Sequence, residues 1–87
     1  MTEEARISVE ISLYPLSDEF LGPIQDFIER LNGYPEIRVL TNTMSTQVFG
    51  PYARVLEILA GEMATTHAET PKAPFVMKVL NGDLSPE

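Results

Sequence analysis

The chain has 87 residues, enough for one domain and no more, and 44% of them are hydrophobic, an ordinary share for a packed globular fold. Thirteen acidic residues against six basic ones leave a net charge of −7, which excludes the basic stripe that nucleic-acid binding needs and argues against an anionic membrane surface. With no cysteine, disulfides, zinc–thiolate sites and thiol chemistry are excluded, and no run approaches the ~20 apolar residues of a membrane span.

The first residues, Met-Thr-Glu-Glu-Ala-Arg, lack the basic segment and apolar core of a signal peptide, so the cytoplasm is the expected compartment. From Arg6 to Leu13 the chain alternates, with Ile7, Val9, Ile11 and Leu13 on one side and Ser8, Glu10 and Ser12 on the other. This period of two predicts a half-buried strand. Tyr14 to Glu19 breaks it, because Pro15 forces Tyr14 extended and offers no N–H to a ladder. A helix follows, capped by Ser17 or Asp18 or else opened at Gly22-Pro23, with Ile24, Phe27, Ile28 and Leu31 as its apolar stripe and Asn32-Gly33 as its stop.

Ile37 to Asn42 reads as a second strand and Thr46 to Phe49 as a third, joined around Thr43-Met44-Ser45. Gly50-Pro51 opens a second helix, expected over Tyr52 to Thr65 from the spacing of Tyr52, Val55, Leu56, Leu59 and Met63. Ala64 to Pro74 reads as a polar loop, Phe75 to Leu80 as a fourth strand, and Asn81 to Glu87 as a loose, turn-like tail.

The order β-α-β-β-α-β predicts an α+β, ferredoxin-like sandwich spanning residues 1–87 as one domain, with a core of about 6–81. Right-handed crossovers then set a four-stranded antiparallel sheet in the spatial order 4-1-3-2, with both helices on one face. That topology brings the end of the first strand beside the start of the third. The uncharged polar stretch Thr41 to Gly50 thereby meets the turn Tyr14 to Glu19 at one pole, together with His67, Pro74 and Phe75. Ser, Thr and Asn gather at turns and caps for local reasons. They also make the wall of a small-molecule pocket. Thr46 alternates with Val48 and so faces the helix layer, where a hydroxyl needs a partner.

Ile11-Ser12-Leu13-Tyr14-Pro15-Leu16, followed at the hairpin by Met44-Ser45-Thr46-Gln47, resembles the YkoF-like thiamine-binding family, also described as DUF77-type proteins. The likeness covers about Ile7 to Leu80. It implies a ferredoxin-like fold, a site for thiamine or its hydroxymethylpyrimidine moiety, and association into a homodimer or homotetramer. Carried over residue by residue, it implies ligand contacts at Ser12, Tyr14, Thr43, Ser45, Thr46 and Gln47, with Asn42 and Asp18 as second choices. Tyr14, Phe20, Phe49 and Met44 are candidate walls, and Asp18 or Glu10 is the candidate carboxylate.

No catalytic apparatus is expected. His67 reads as a solvated loop residue without a serine or acid relay, no cluster has metal-ligand spacing, and no glycine-rich loop cradles phosphate. Acylphosphatases share the fold but need an arginine after the first strand, where Tyr14 to Glu19 has none. The expected function is therefore binding of a thiamine-like molecule, with no cofactor, no metal, and no nucleic-acid or membrane partner. The alternative is an ACT-like oligomeric module that binds another small ligand or none.

Overall fold

The computed structural model describes residues 5–86. Its elements are β1 (Arg6–Leu13), α1 (Leu21–Asn32), β2 (Arg38–Thr41), β3 (Thr46–Pro51), α2 (Tyr52–Glu69) and β4 (Phe75–Asn81). The four strands form one antiparallel sheet in the order β2-β3-β1-β4, the ferredoxin-like arrangement expected from the element order.

Alternation explains the two faces. Ile7, Val9, Ile11 and Leu13 of β1 are buried toward the helices, and the register sets Val48 beside Val9 and Thr46 beside Ile11 on the same face. Phe27 and Leu31 of α1 and Val55, Ile58 and Leu59 of α2 complete this core with Ile37 and Ala73. Gly50 sits where the start of α2 approaches the sheet. A Cβ there would come within 3.0 Å of Val55 Cγ2 and 3.2 Å of Ile37 Cγ2, so only glycine fits without displacing the core.

α1 takes the second of its two expected openings, at Gly22-Pro23, and α2 departs from expectation at its end. α1 begins at Leu21, not at Ser17 or Asp18: the Ser17 hydroxyl donates to the Glu19 carbonyl instead of capping a helix. Pro23 lies in the first turn, where its missing N–H costs nothing. α2 continues to Glu69 through residues expected to be loop. The Thr65 hydroxyl bonds back to the Gly61 carbonyl, and buried Thr66 accepts a hydrogen bond from Arg30, so neither threonine competes with the helix. Pro71 follows the true end.

The two helices are tied by a polar cluster. Arg30 reaches the Glu62 carboxylate at 2.5 Å and the Thr66 hydroxyl at 2.7 Å, and the Tyr34 hydroxyl donates to Glu62 at 2.6 Å.

The C-terminal segment is bound across the outer sheet face rather than loose. Gly82, at φ +93°, turns it there, a conformation suited to glycine. Ser8 Oγ donates to the Gly82 carbonyl and accepts from Leu84 N–H, and Arg38 donates to the Pro86 carbonyl on the far side of the sheet. The segment thus follows the row Leu80–Ser8–Phe49–Arg38, and Phe49 beneath it is only 5% exposed.

Candidate ligand-binding site

β1 ends where the chain must leave the sheet, and Tyr14 and Leu16 remain joined to the start of β4 through backbone bonds to Pro74 and Lys72. Pro15 between them has no N–H to give. Across the sheet, the β2–β3 hairpin is closed by Asn42, whose N–H reaches the Ser45 carbonyl while its Oδ1 accepts from the N–H groups of Met44 and Ser45. This is the Asx-type turn that asparagine favours. Ser12 Oγ, 3.4 Å from the Met44 carbonyl, links the end of β1 to the hairpin tip.

Between these two segments and the first turns of α1 lies a cleft of about 510 Å³. Its polar lining comes from Ser12, Thr41, Asn42, Thr43, Ser45 and Thr46. Its walls are Tyr14, Leu16, Phe20, Phe27, Ile28 and Met44, several of them well exposed at the rim. Among the described residues no charged side chain lines it. The hydroxyls of Thr41 and Thr46, one buried and one exposed, are 3.4 Å apart. Each is a donor and an acceptor, so together they can match a heterocycle edge that offers both.

Six of the eight candidate residues therefore share the cleft: Ser12, Tyr14, Asn42, Thr43, Ser45 and Thr46. Two do not. Gln47 follows Thr46 in the strand and so points to the opposite face, where it lines a separate shallow cavity with Phe49, Lys78 and Leu84. Asp18 is exposed in the turn before α1 and outside the cleft, because the helix starts three residues after it. Phe49 is likewise no wall of this cleft.

Glu10 is on the outer face as well. It accepts from Ser45 Oγ at 2.9 Å and pairs with Lys78 at 3.2 Å, and these contacts hold its carboxyl below the usual carboxylate range, the Ser45 hydroxyl contributing most. The Ser45 hydroxyl is thus engaged away from the cleft. His67 belongs to the last turn of α2, not to a loop; its Nε2 lies 2.9 Å from the Ala73 carbonyl and its ring meets Phe75 edge-on. Among the described residues no cluster has the makings of a metal site, and no helix is long and apolar enough to cross a membrane.

Sequence reasoning placed Thr41 in the polar wall without naming it among the eight contacts, and missed Phe27 and Ile28 as lining residues. Thr41 follows Val39 on the helix-facing side of β2, the parity that also places Thr46 inward. Phe27 and Ile28 read simply as core stripe.

No family model and no curated protein matches the sequence. Solved structures do. A candidate thiamine biosynthesis/salvage protein from Thermotoga maritima superposes with a TM-score of 0.78 at 12% identity, over 92% of this chain and 84% of that one. A protein from Streptococcus pneumoniae gives 0.82 at 17% identity, over 91% and 89%. A DUF77 domain from Bacillus cereus gives 0.71 at 11% identity, over 94% and 81%.

The fold is that of the DUF77 domain. This agrees with the resemblance carried by the Ser-Leu-Tyr-Pro and Met-Ser-Thr segments, and those are the two segments that line the cleft. At such identities the DUF77 likeness is one of fold.

Proposed function

We propose that this chain is a non-catalytic binding protein for thiamine or its hydroxymethylpyrimidine moiety. The observation that carries this reading is the uncharged cleft formed by the Tyr14 turn and the Thr41–Thr46 hairpin, segments distant in sequence. Its volume suits a small molecule, and its composition, apolar walls with a few convergent polar groups, is that of a ligand pocket. Aromatic Tyr14 and Phe20, both half exposed, offer flat surfaces for a ring. The name of the Thermotoga neighbour points to the same ligand class.

The absence of charge in the lining orients the ligand. A cation in an uncharged, partly desolvated cleft loses hydration without compensation. The neutral pyrimidine therefore goes inward, to the Thr41 and Thr46 hydroxyls, and the thiazolium stays at the rim. The lining offers hydroxyls and an amide, with no base of suitable pKa for proton transfer, so the reading is of binding only. It includes a cytoplasmic location and association into a homodimer or homotetramer.

Titration calorimetry with thiamine and with hydroxymethylpyrimidine tests it. Micromolar or tighter binding of the pyrimidine, with thiamine no more than modestly different, is the expected result. Binding of both weaker than millimolar by folded protein overturns the proposal. A second reading, the ACT-like oligomeric module, draws on the exposed apolar β4 strip; association without binding of either compound would favour it.

A further inference from the structure

Three residues that the sequence put forward for binding, Gln47, Phe49 and Glu10, have no place in the cleft, and all three meet on the other side of the sheet. There the register lays two rows of outward side chains next to each other. The C-terminal segment follows the first row, Leu80–Ser8–Phe49–Arg38. The second row, Lys78–Glu10–Gln47–Leu40, is two residues along each strand, roughly 7 Å away. Its first three members open onto a cavity of about 570 Å³ that the first row shares.

This cavity has a built wall, which a bare sheet face lacks. Ser8 Oγ holds the Gly82 carbonyl at 2.7 Å and the Leu84 N–H at 2.8 Å, and Arg6 pairs with Asp83 between them. These bonds fix Leu84 at the cavity edge, where it joins Phe49 and Leu80 as the apolar end. The polar end is balanced in charge, because Lys78 Nζ lies 3.2 Å from Glu10 Oε1. Gln47 is half-buried beside that pair, and among the described residues its side-chain amide has no hydrogen-bond partner.

We propose that this outer-face cavity is a second binding site, for a neutral amphipathic molecule with a flat apolar body and a carboxamide-type head. Charge complementarity selects the neutral class. An ion of either sign would meet its own charge within the Lys78–Glu10 pair, and would lose hydration against Phe49, Leu80 and Leu84 with no free counter-charge. The net charge of −7 adds repulsion for anions. Hydrogen bonding selects the head. A carboxamide presents N–H and C=O on one edge, and the Gln47 amide offers the matching acceptor and donor. Apolar walls with a few convergent polar groups, in a volume between about 300 and 1,000 Å³, are the usual makings of a small-molecule site. No lining residue is common to this cavity and the cleft, so the proposal does not depend on the thiamine reading.

Proton–nitrogen NMR correlation spectra of the full chain test it, with benzamide, benzoate and benzylammonium as probes of one shape and three charges. Benzamide should shift the Gln47 side-chain amide and the Leu84 backbone amide saturably at low-millimolar concentration, as suits so small a molecule. Benzoate and benzylammonium should bind at least about fivefold more weakly. Gln47→Met keeps the length and removes the amide, and should weaken benzamide by about five- to tenfold, followed at Leu84. Leu84→Ser alters a side chain that is 63% exposed, so the fold survives it, and should also weaken benzamide several-fold. Shifts confined to Asn42 and Thr43 of the cleft, a charged probe that equals benzamide, or unchanged affinity in both variants overturns the site. Broadening at Gln47 and Leu84 that grows with protein concentration and persists with benzamide would make a second copy the occupant, and overturns it equally. None of these results bears on hydroxymethylpyrimidine binding in the cleft.

Discussion

At the scale of single residues, the side chain with the clearest assignment is Thr46. Its hydroxyl is buried on the helix-facing side of the sheet, 3.4 Å from that of Thr41, and forms part of the cleft lining. Valine keeps the shape and removes the polar group. Thr46→Val should therefore weaken hydroxymethylpyrimidine binding about tenfold, the worth of roughly one hydrogen bond, with only a small change in melting temperature. Ser45→Ala should change affinity far less, since that hydroxyl is bonded to Glu10 on the outer face. Calorimetry on both variants checks the pair; a marked loss of stability with unaltered affinity at Thr46 would make it a packing residue. Strand parity made Thr46 legible from the sequence, and the same parity already separates it from Gln47. The engagement of Ser45 was not legible, because Glu10 lies thirty-five residues away and reaches it only through the sheet.

At the scale of elements, the alternation of β1 and the stripe Ile24, Phe27, Ile28, Leu31 were readable because each repeats one contact with one core. The last turn of α2 was not. Threonine is a weak helix former, and here Thr66 is held by Arg30 of α1, a partner that local pattern does not reveal. Gly61 is the weak point of that helix: it is exposed, and a Cβ there meets nothing within 4 Å. Gly61→Ala should stabilise the protein by about 0.4–1 kcal/mol, through helix propensity and a less flexible unfolded chain. Urea unfolding would show it as a higher midpoint at unchanged slope, and a lower midpoint would contradict the placement of this residue in an open helix face.

At the scale of the whole molecule, the strand order followed from the sequence of elements alone, and with it the meeting of the two cleft segments. What holds the helix layer together did not. Glu62 receives the Tyr34 hydroxyl and the Arg30 guanidinium, and its carboxyl is held below the usual range, by the Tyr34 hydrogen bond first and by Arg30 as well. A depressed carboxylate stabilises the fold above its unfolded pKa, and that contribution disappears as pH falls through the folded value. Glu62→Gln should cost about 1–3 kcal/mol near neutrality, and the gap between the two proteins' melting temperatures should narrow on acidification. A gap independent of pH would locate the loss in packing instead.

The path of the last residues has a practical corollary. Carried from Gly82 to Pro86 over the back of the sheet, the backbone emerges beside Arg38. A fluorescent label or surface tether attached after Pro86 would leave from the β2 flank, with both the hairpin mouth and the strand on the opposite border unobstructed. Immobilisation from that end suits measurements of ligand uptake and of self-recognition alike.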